Sequence, residues 1–483
     1  MPVISGARPL APDPLLTNSP SLANRPPGEI GRSLSARHPL ARRAPRWLWL
    51  ALIAIVLVGT LGTGWDWLRD TAPSADPALL RAGRGAASFP QALAAVEQDL
   101  ATARGSLAQT PGDWGREEEI ARALMARFRL TGDYADLAEA QRLLDDGLAR
   151  TPDPAGPVLS KASFAVLVHR LDEADPALAR ADRWGDIDSL DRVDAMVMRG
   201  DIALQRGRPD DALAVWSKAR AISPANWIAL RTALLAAQRG RHEAGVRRLE
   251  ALIAAPGQQT TTLAALALQR ANLAYAVGDW DGAARWVAAA DRVYPGNWLA
   301  EAYAAQNEAL AGRPRVAIRA YRAIAERTGR PEVMDALAHL LRLEGNGAAS
   351  RAWAAKAAAG WEARARLFPE AVIHHQAEHE LAVGSASHAL VLAQADTAQR
   401  PQAPNLVLLA RALLSAGRAR EALAALDRAD AQGWVSAGQQ MARAEVLAAL
   451  GRTAKSEAAR ARAEAINPRA ADPRTRLIWF GHD

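Results

Sequence analysis

Between residues 193 and 224 the apolar side chains fall at helical rather than alternating spacing. Val193, Met196, Val197, Gly200, Ile202, Ala203 and Leu204 share one side with charges between them, and Ala212, Leu213, Val215, Trp216, Ala219 and Ile222 repeat the pattern. That period predicts two amphipathic helices. The break between them is Arg206-Gly207-Arg208-Pro209-Asp210. Gly207 suits the left-handed residue that ends a helix, and Pro209 suits the first turn of the next. Ser223-Pro224 stops the second helix. The stretch reads as one αα-hairpin, and one hairpin cannot bury both of its apolar faces.

Further along, the chain supplies the neighbours. Gly207 has counterparts at Gly240, Gly278, Gly312, Gly345, Gly384, Gly417 and Gly451, at gaps of 33, 38, 34, 33, 39, 33 and 34 residues. Pro224, Pro295, Pro401 and Pro468 each lie 17 residues after one of these glycines. Small residues recur 5 and 12 positions after the glycine, as Ala212 and Ala219, Ala283 and Ala290, and Ala422 and Ala429. Close helix packing needs short side chains at such points. Trp216, Trp286 and Trp353 fall at positions expected to fill the gap between paired helices.

A period near 34 residues that is helical in both halves resembles the tetratricopeptide repeat (TPR) family, over roughly residues 115–468. The likeness is strongest in the units built on Gly207, Gly278 and Gly417, while residues 158–190 show no clean repeat. The resemblance implies an all-α fold, a right-handed α-solenoid of TPR helix pairs. Phe89, Leu93, Val96, Leu100 and Leu107 mark a helix that caps the N-terminal end, and about nine repeats then fill residues 89–468. Thr131-Gly132-Asp133-Tyr134 turns the first of them, and Pro224-Ala225-Asn226-Trp227 and Pro295-Gly296-Asn297-Trp298 are near-copies between units.

A different pattern precedes the array. Residues 1–46 are rich in Pro, Ser, Arg and Ala without apolar periodicity, a disordered tail by composition. Residues 47–65 carry no charge, and nine Leu, Ile or Val among them make a run of ~28 Å as a helix, the thickness of a bilayer core. Trp47, Trp49, Trp65 and Trp67 flank it as aromatic belts. A single transmembrane helix over 47–67 is expected, then a linker over 68–88 containing Pro73, Pro77, Gly83 and Gly85. Arg32, Arg37, Arg42, Arg43 and Arg46 precede the span, whereas Arg69, Arg81 and Arg84 after it are mixed with Asp66, Asp70 and Asp76. The positive-inside rule then leaves the N-terminus in the cytoplasm and the repeats across the membrane. The expected location is a bacterial inner membrane with a periplasmic repeat domain. At the other end, the tail 469–483 carries Leu477, Ile478, Trp479 and Phe480, expected to fold back over the last hairpin.

Charge and cysteine content narrow the function classes. The chain has no Cys, which excludes disulfides, Cys-ligated zinc, iron–sulfur clusters and a Cys nucleophile. Of the net charge of +7, residues 1–46 hold seven Arg against Asp13 and Glu29, so +5 sits in the tail and +2 in the rest. The repeats lack the basic stripe that nucleic acid demands. No P-loop, nucleophile elbow or dinucleotide-binding unit is present, and no cofactor or catalysis is expected.

One cluster carries candidate chemistry, His374-His375-Gln376-Ala377-Glu378-His379-Glu380. His375-x-x-Glu378-His379 matches a zinc-peptidase pattern, so a zinc-dependent hydrolase is one alternative. The repeat register gives another account. Counting each turn glycine as position 15, His374 and Glu378 fall at positions 5 and 9 of a first helix. In the family those positions line a concave groove that binds peptides. The same register places Asp194, Asp201, Gln205, Asn272, Tyr275, Gln306, Asp335, His339, Arg342, Arg411, Ser415 and Glu445 along that groove. The resemblance therefore implies a protein or peptide partner and a membrane-anchored scaffold or chaperone for envelope assembly. A structural spacer without a ligand is the remaining alternative.

Overall fold

The computed structural model describes residues 75–184, 189–224 and 226–481. The expected tail at 1–46, the apolar span at 47–67 and the first part of the linker at 68–88 lie outside the described residues. Among the described residues, helix α1 (Phe89–Gln109) is followed by ten helix pairs. The first five are α2 (Trp114–Thr131) with α3 (Tyr134–Arg150), α4 (Val158–Leu167) with α5 (Leu171–Ala181), α6 (Ser189–Gln205) with α7 (Pro209–Ile222), α8 (Asn226–Gln238) with α9 (His242–Ala254), and α10 (Thr260–Ala276) with α11 (Trp280–Val293). The second five are α12 (Trp298–Leu310) with α13 (Pro314–Thr328), α14 (Pro331–Leu343) with α15 (Gly347–Ala365), α16 (Pro369–Val383) with α17 (Ala386–Gln399), α18 (Ala403–Ser415) with α19 (Ala419–Ala431), and α20 (Ala437–Ala449) with α21 (Thr453–Ile466). No helix among them is long and apolar enough to cross a membrane. The architecture is an all-α solenoid in which each helix packs chiefly on its neighbours in sequence.

Local chemistry explains the pairing. Nine of the ten turns use one residue at positive φ, between 62° and 78°, and eight of those are glycine. The ninth is His169, which is why the pair at α4 and α5 leaves no glycine mark in the sequence. The tenth turn departs from this pattern. Gly384 stands at φ −111° and ψ −131°, and Glu380 reaches past it to accept a hydrogen bond from the Ser385 amide at 2.6 Å. The 39-residue gap before Gly384 follows from α15, which runs for 19 residues. Between paired helices the expected small positions Ala212, Ala219, Ala283, Ala290, Ala422 and Ala429 are fully buried at 0% exposure. Trp216, Trp286 and Trp353 are buried as expected. Gly200 leaves room for the Trp216 ring, which a Cβ there would strike, and the indole Nε1 donates to the Val197 carbonyl at 3.3 Å.

Beyond neighbouring pairs, the ribbon coils until one of its edges meets the other. Each contact joins the turn inside one pair to the connector about six pairs further on. Arg330 donates from Nη2 to the Leu130 carbonyl at 2.9 Å, and its guanidinium would meet any Cβ at Gly132. Arg170 pairs with Glu370 at 3.2 Å. A Cβ at Gly207 would lie 2.7 Å from the Pro401 carbonyl oxygen. The Val435 amide donates to the Gln238 carbonyl at 2.9 Å, and Asn467 Nδ2 donates to the Tyr275 carbonyl at 3.5 Å. Leu130 and Gln238 lie in the last turns of first helices, where carbonyls lack partners inside the helix, whereas the Tyr275 carbonyl also accepts from the Gly278 amide at 3.0 Å. The later coil supplies donors that the earlier helix ends need. The linker joins the same way. Arg84 donates its amide to Gln258 at 2.8 Å and accepts from Thr260 at 2.9 Å, and the Phe89 amide reaches the Pro295 carbonyl at 3.0 Å.

Phe368 is the main apolar contact of this seam. It comes from the connector before α16 and is 1% exposed, inside a cluster with Leu137, Leu144, Phe164 and Val168 from the first two pairs. Its ring lies 5.7 Å from that of Phe164 in an edge-on arrangement. Phe368→Ala should lower stability by about 3–5 kcal/mol and raise the radius of gyration in small-angle X-ray scattering. Leu426→Ala, 0% exposed on α19, should cost about 2–5 kcal/mol and leave the radius unchanged. Equal radii for both variants would show that the edges are not what closes the coil.

Candidate functional site

The positions read from the repeat register separate into three groups. The first is met by the chain's own C-terminal segment. Asp472 caps a short 3-10 turn, Pro473–Leu477, by accepting from the Arg474 amide, and an extended stretch follows. Gln306, 0% exposed on α12, binds that stretch through both ends of its amide. Its Oε1 accepts from the Trp479 amide at 2.6 Å and the Phe480 amide at 2.7 Å, while its Nε2 donates to the Phe480 carbonyl at 3.0 Å. His339 on α14 bonds through Nε2 to the Arg476 carbonyl at 2.9 Å. Arg342 donates to its Nδ1 at 3.3 Å, so the His339 proton resides on Nε2. The imidazole also lies 5.1 Å from the Trp479 ring. On α10, Asn272 accepts from the Tyr303 hydroxyl at 2.7 Å, and Gly481 packs so tightly against Asn272 and Tyr303 that a Cβ would collide.

Thus the tail does not cover the last hairpin, as its apolar residues led us to expect. It turns instead into the middle of the array, onto α10, α12 and α14. The reason is that Asn467 ends α21 against the turn at Gly278, so the chain emerges beside α10 rather than beside its own hairpin. Trp479 and Phe480 are each 1% exposed. Phe480 sits 5.6 Å from the Tyr303 ring and 6.2 Å from the Tyr321 ring. The repeat register did not single out these two tyrosines. Tyr321 belongs to a second helix, so no rule for first-helix positions reaches it.

A second group lines a cavity of ≈ 80 Å³ beside the tail, where Tyr275, His374, Glu378 and Arg411 meet Ile478 and Gly481. His374 is buried and bonds through Nδ1 to Asp396 at 2.9 Å, with Glu378 at 3.6 Å from Nε2. Burial alone would lower its pKa, but the two carboxylates outweigh burial and lift it to about 9. Asp396 is also gripped by Arg400 at 2.6 Å. Burial opposes its ionisation, yet Arg400 and His374 hold its pKa down at about 2. Arg411 spends one weak bond, 3.5 Å, on the Gly438 carbonyl.

The third group ties helices together. Asp201 and Arg231 form a buried two-pronged pair with both N···O distances at 2.6 Å. Gln205 accepts from His169 Nδ1 at 2.9 Å, and burial drives the His169 pKa well below its usual value, so the ring is neutral. Asp335 accepts from Trp361 at 2.7 Å and bonds His379 at 2.6 Å. Asp194 is likewise buried, on α6.

The two histidines of the zinc pattern part company. His379 is committed to Asp335, while His375 stacks on Trp361 at 5.4 Å and bonds Glu378 at 3.2 Å. Among the described residues no three His, Asp or Glu side chains gather where a metal ion could be held. The zinc-dependent hydrolase alternative is therefore not supported.

The His374 pair yields a pH dependence with a definite sign. A histidine whose folded pKa is raised contributes stability that is complete below its unfolded value, 6.5, and lost as pH rises through about 9. Asp396 contributes stability that is complete above 3.8 and lost as pH falls toward about 2. The Tm gap between the unaltered chain and His374→Gln should be widest near pH 6 and close by about pH 10. A gap that stays constant across that range would contradict the charged pair.

No family model matches this sequence, and no curated protein matches it. Solved structures show a partial likeness. The chain is similar to the APC/C hetero-tetramer Cut9–Hcn1, at 16% identity and TM-score 0.35, over 81% of this chain and 84% of that one. It is similar to yeast Tom70 at 13% identity and TM-score 0.37, over 77% and 87% of the two chains. A tetratricopeptide repeat protein from Parabacteroides merdae matches at 13% identity and TM-score 0.32, over 52% of this chain and 98% of that one.

Proposed function

We propose that this chain is a protein-recognition scaffold, not an enzyme, which holds a partner's polypeptide on the face formed by α10, α12 and α14. One observation carries the reading. Gln306 satisfies three backbone groups of two successive residues in an extended segment, and backbone bonding of that kind grips a polypeptide whatever its side chains. His339 adds a fourth bond to the same strand. An array of helix pairs offers such a face because each first helix brings its polar positions to the same side as the next.

The sequence supports a placement for this scaffold. The uncharged run at 47–65 with its Trp belts and the Arg excess before it support a single-pass anchor in a bacterial inner membrane, with the repeats in the periplasm. A tethered recognition array in that compartment serves envelope assembly.

Two measurements test this. A photo-crosslinking residue at Arg342 on α14 in intact cells should give a discrete higher-mass adduct that is absent when the same residue replaces exposed Lys218 on α7. Adducts equal from both sites, or from neither, would overturn recognition at this face. Protease added to cells stripped of their outer membrane should degrade the repeats and spare a fragment containing 1–67. Full resistance of the repeats would overturn the periplasmic placement.

A further inference from the structure

The C-terminal segment meets this face as a ligand would, and its chemistry describes the partner. We propose that residues 476–481 occupy the recognition site in cis, and that the partner enters by presenting an extended segment of the same chemistry and displacing them. This inference rests on the scaffold reading above. The segment in question is an aliphatic residue, two aromatic residues and a glycine in succession, here Ile478, Trp479, Phe480 and Gly481.

Each position of that segment has a counterpart that selects it. Ile478 borders Tyr275 in the cavity. Trp479 lies over the His339 ring. Phe480 fits between Tyr303 and Tyr321. Gly481 has φ 74°, and Asn272 leaves no space for a side chain there. The backbone bonds to Gln306 fix the register, and these contacts choose the residues.

Two features make the occupant replaceable. The strand is held in two parts. Arg469 and Arg474 lie 4.4 and 4.9 Å over the Trp280 ring, outside the segment that Gln306 grips, so 476–481 can leave while its root stays. The indole Nε1 of Trp479 is buried with no hydrogen-bond partner, a defect that weakens the cis fit.

The experiment uses the full chain with a protease site inserted between Ala470 and Ala471 and cut after folding. The probe is a fluorescein-labelled synthetic peptide with the sequence of residues 472–481, read by fluorescence anisotropy. A tethered tail acts at millimolar effective concentration, so the uncut chain should bind the probe at least about 100-fold more weakly than the cut and washed chain. Gln306→Ala in the cut chain should weaken binding at least tenfold, and a scrambled peptide should not bind. A probe carrying Trp479→Phe should bind the cut chain at least as tightly as the original. Failure of the cut chain to exchange its tail for the probe, with helical circular dichroism intact, would make the segment a permanent core element and overturn the proposal. So would uncut chains that exchange tails with one another as dimers in light scattering while ignoring free peptide. Were the crosslinked partner retained in either case, the scaffold would stand and its binding surface would lie elsewhere.

Discussion

Carbonyl groups at the ends of helices have no partner within the helix, and burying them unpaired is costly. In this chain that requirement is met partly within each turn and partly from a distance. The carbonyls of Leu130 and Gln238 receive donors from Arg330 and Val435, which arrive about six pairs later. A solenoid held only by neighbouring repeats has a stability that sums along its length. Here the edge contacts add a second dimension, since each early pair is fastened both to its sequence neighbour and to a pair one coil away. The turn glycines record the difference. At Gly132, Gly207 and Gly278 a Cβ would run into the next coil, whereas at Gly312, Gly345, Gly417 and Gly451 nothing lies within 4 Å. All seven need a positive φ, but only the first set also needs to be small.

The same closure shapes the proposed recognition face. Polar residues on the first helices are divided between holding the array together and meeting another strand. Asp201, Gln205 and Asp335 are consumed by Arg231, His169 and His379. Gln306 and His339 spend their bonding on backbone groups of the tail. Desolvated side chains of the first kind fix helix orientation, and those of the second kind hold the tail because their amide and imidazole groups match peptide geometry.

How much of this could be read from the residues alone depends on the range of the interaction. Gly207 and its counterparts were legible because a left-handed turn demands glycine at a fixed place, and the period follows. The pair at 158–181 was hidden because His169 fills that place, at φ 62°. The polar positions Gln306 and His339 were found by register, yet their occupant was not. Trp479 and Phe480 announced burial by their bulk, while the strand's destination depended on where α21 ends relative to Gly278, about 190 residues away in the chain. The seam left no periodic trace for a similar reason. Arg330, Phe368, Pro401 and Val435 sit in connectors, where only the proline recurs, and their partners are set by coil pitch rather than by local spacing.

The seam also gives the molecule a mechanical character. An open helical ribbon lengthens like a spring by small rotations at many joints, with little resistance at any one of them. When adjoining coils are riveted by the Arg170–Glu370 ion pair, the Phe164–Phe368 contact and the Val435–Gln238 hydrogen bond, tension along the axis must first break those rivets. The array then resists as a stiff tube up to a threshold and yields abruptly beyond it.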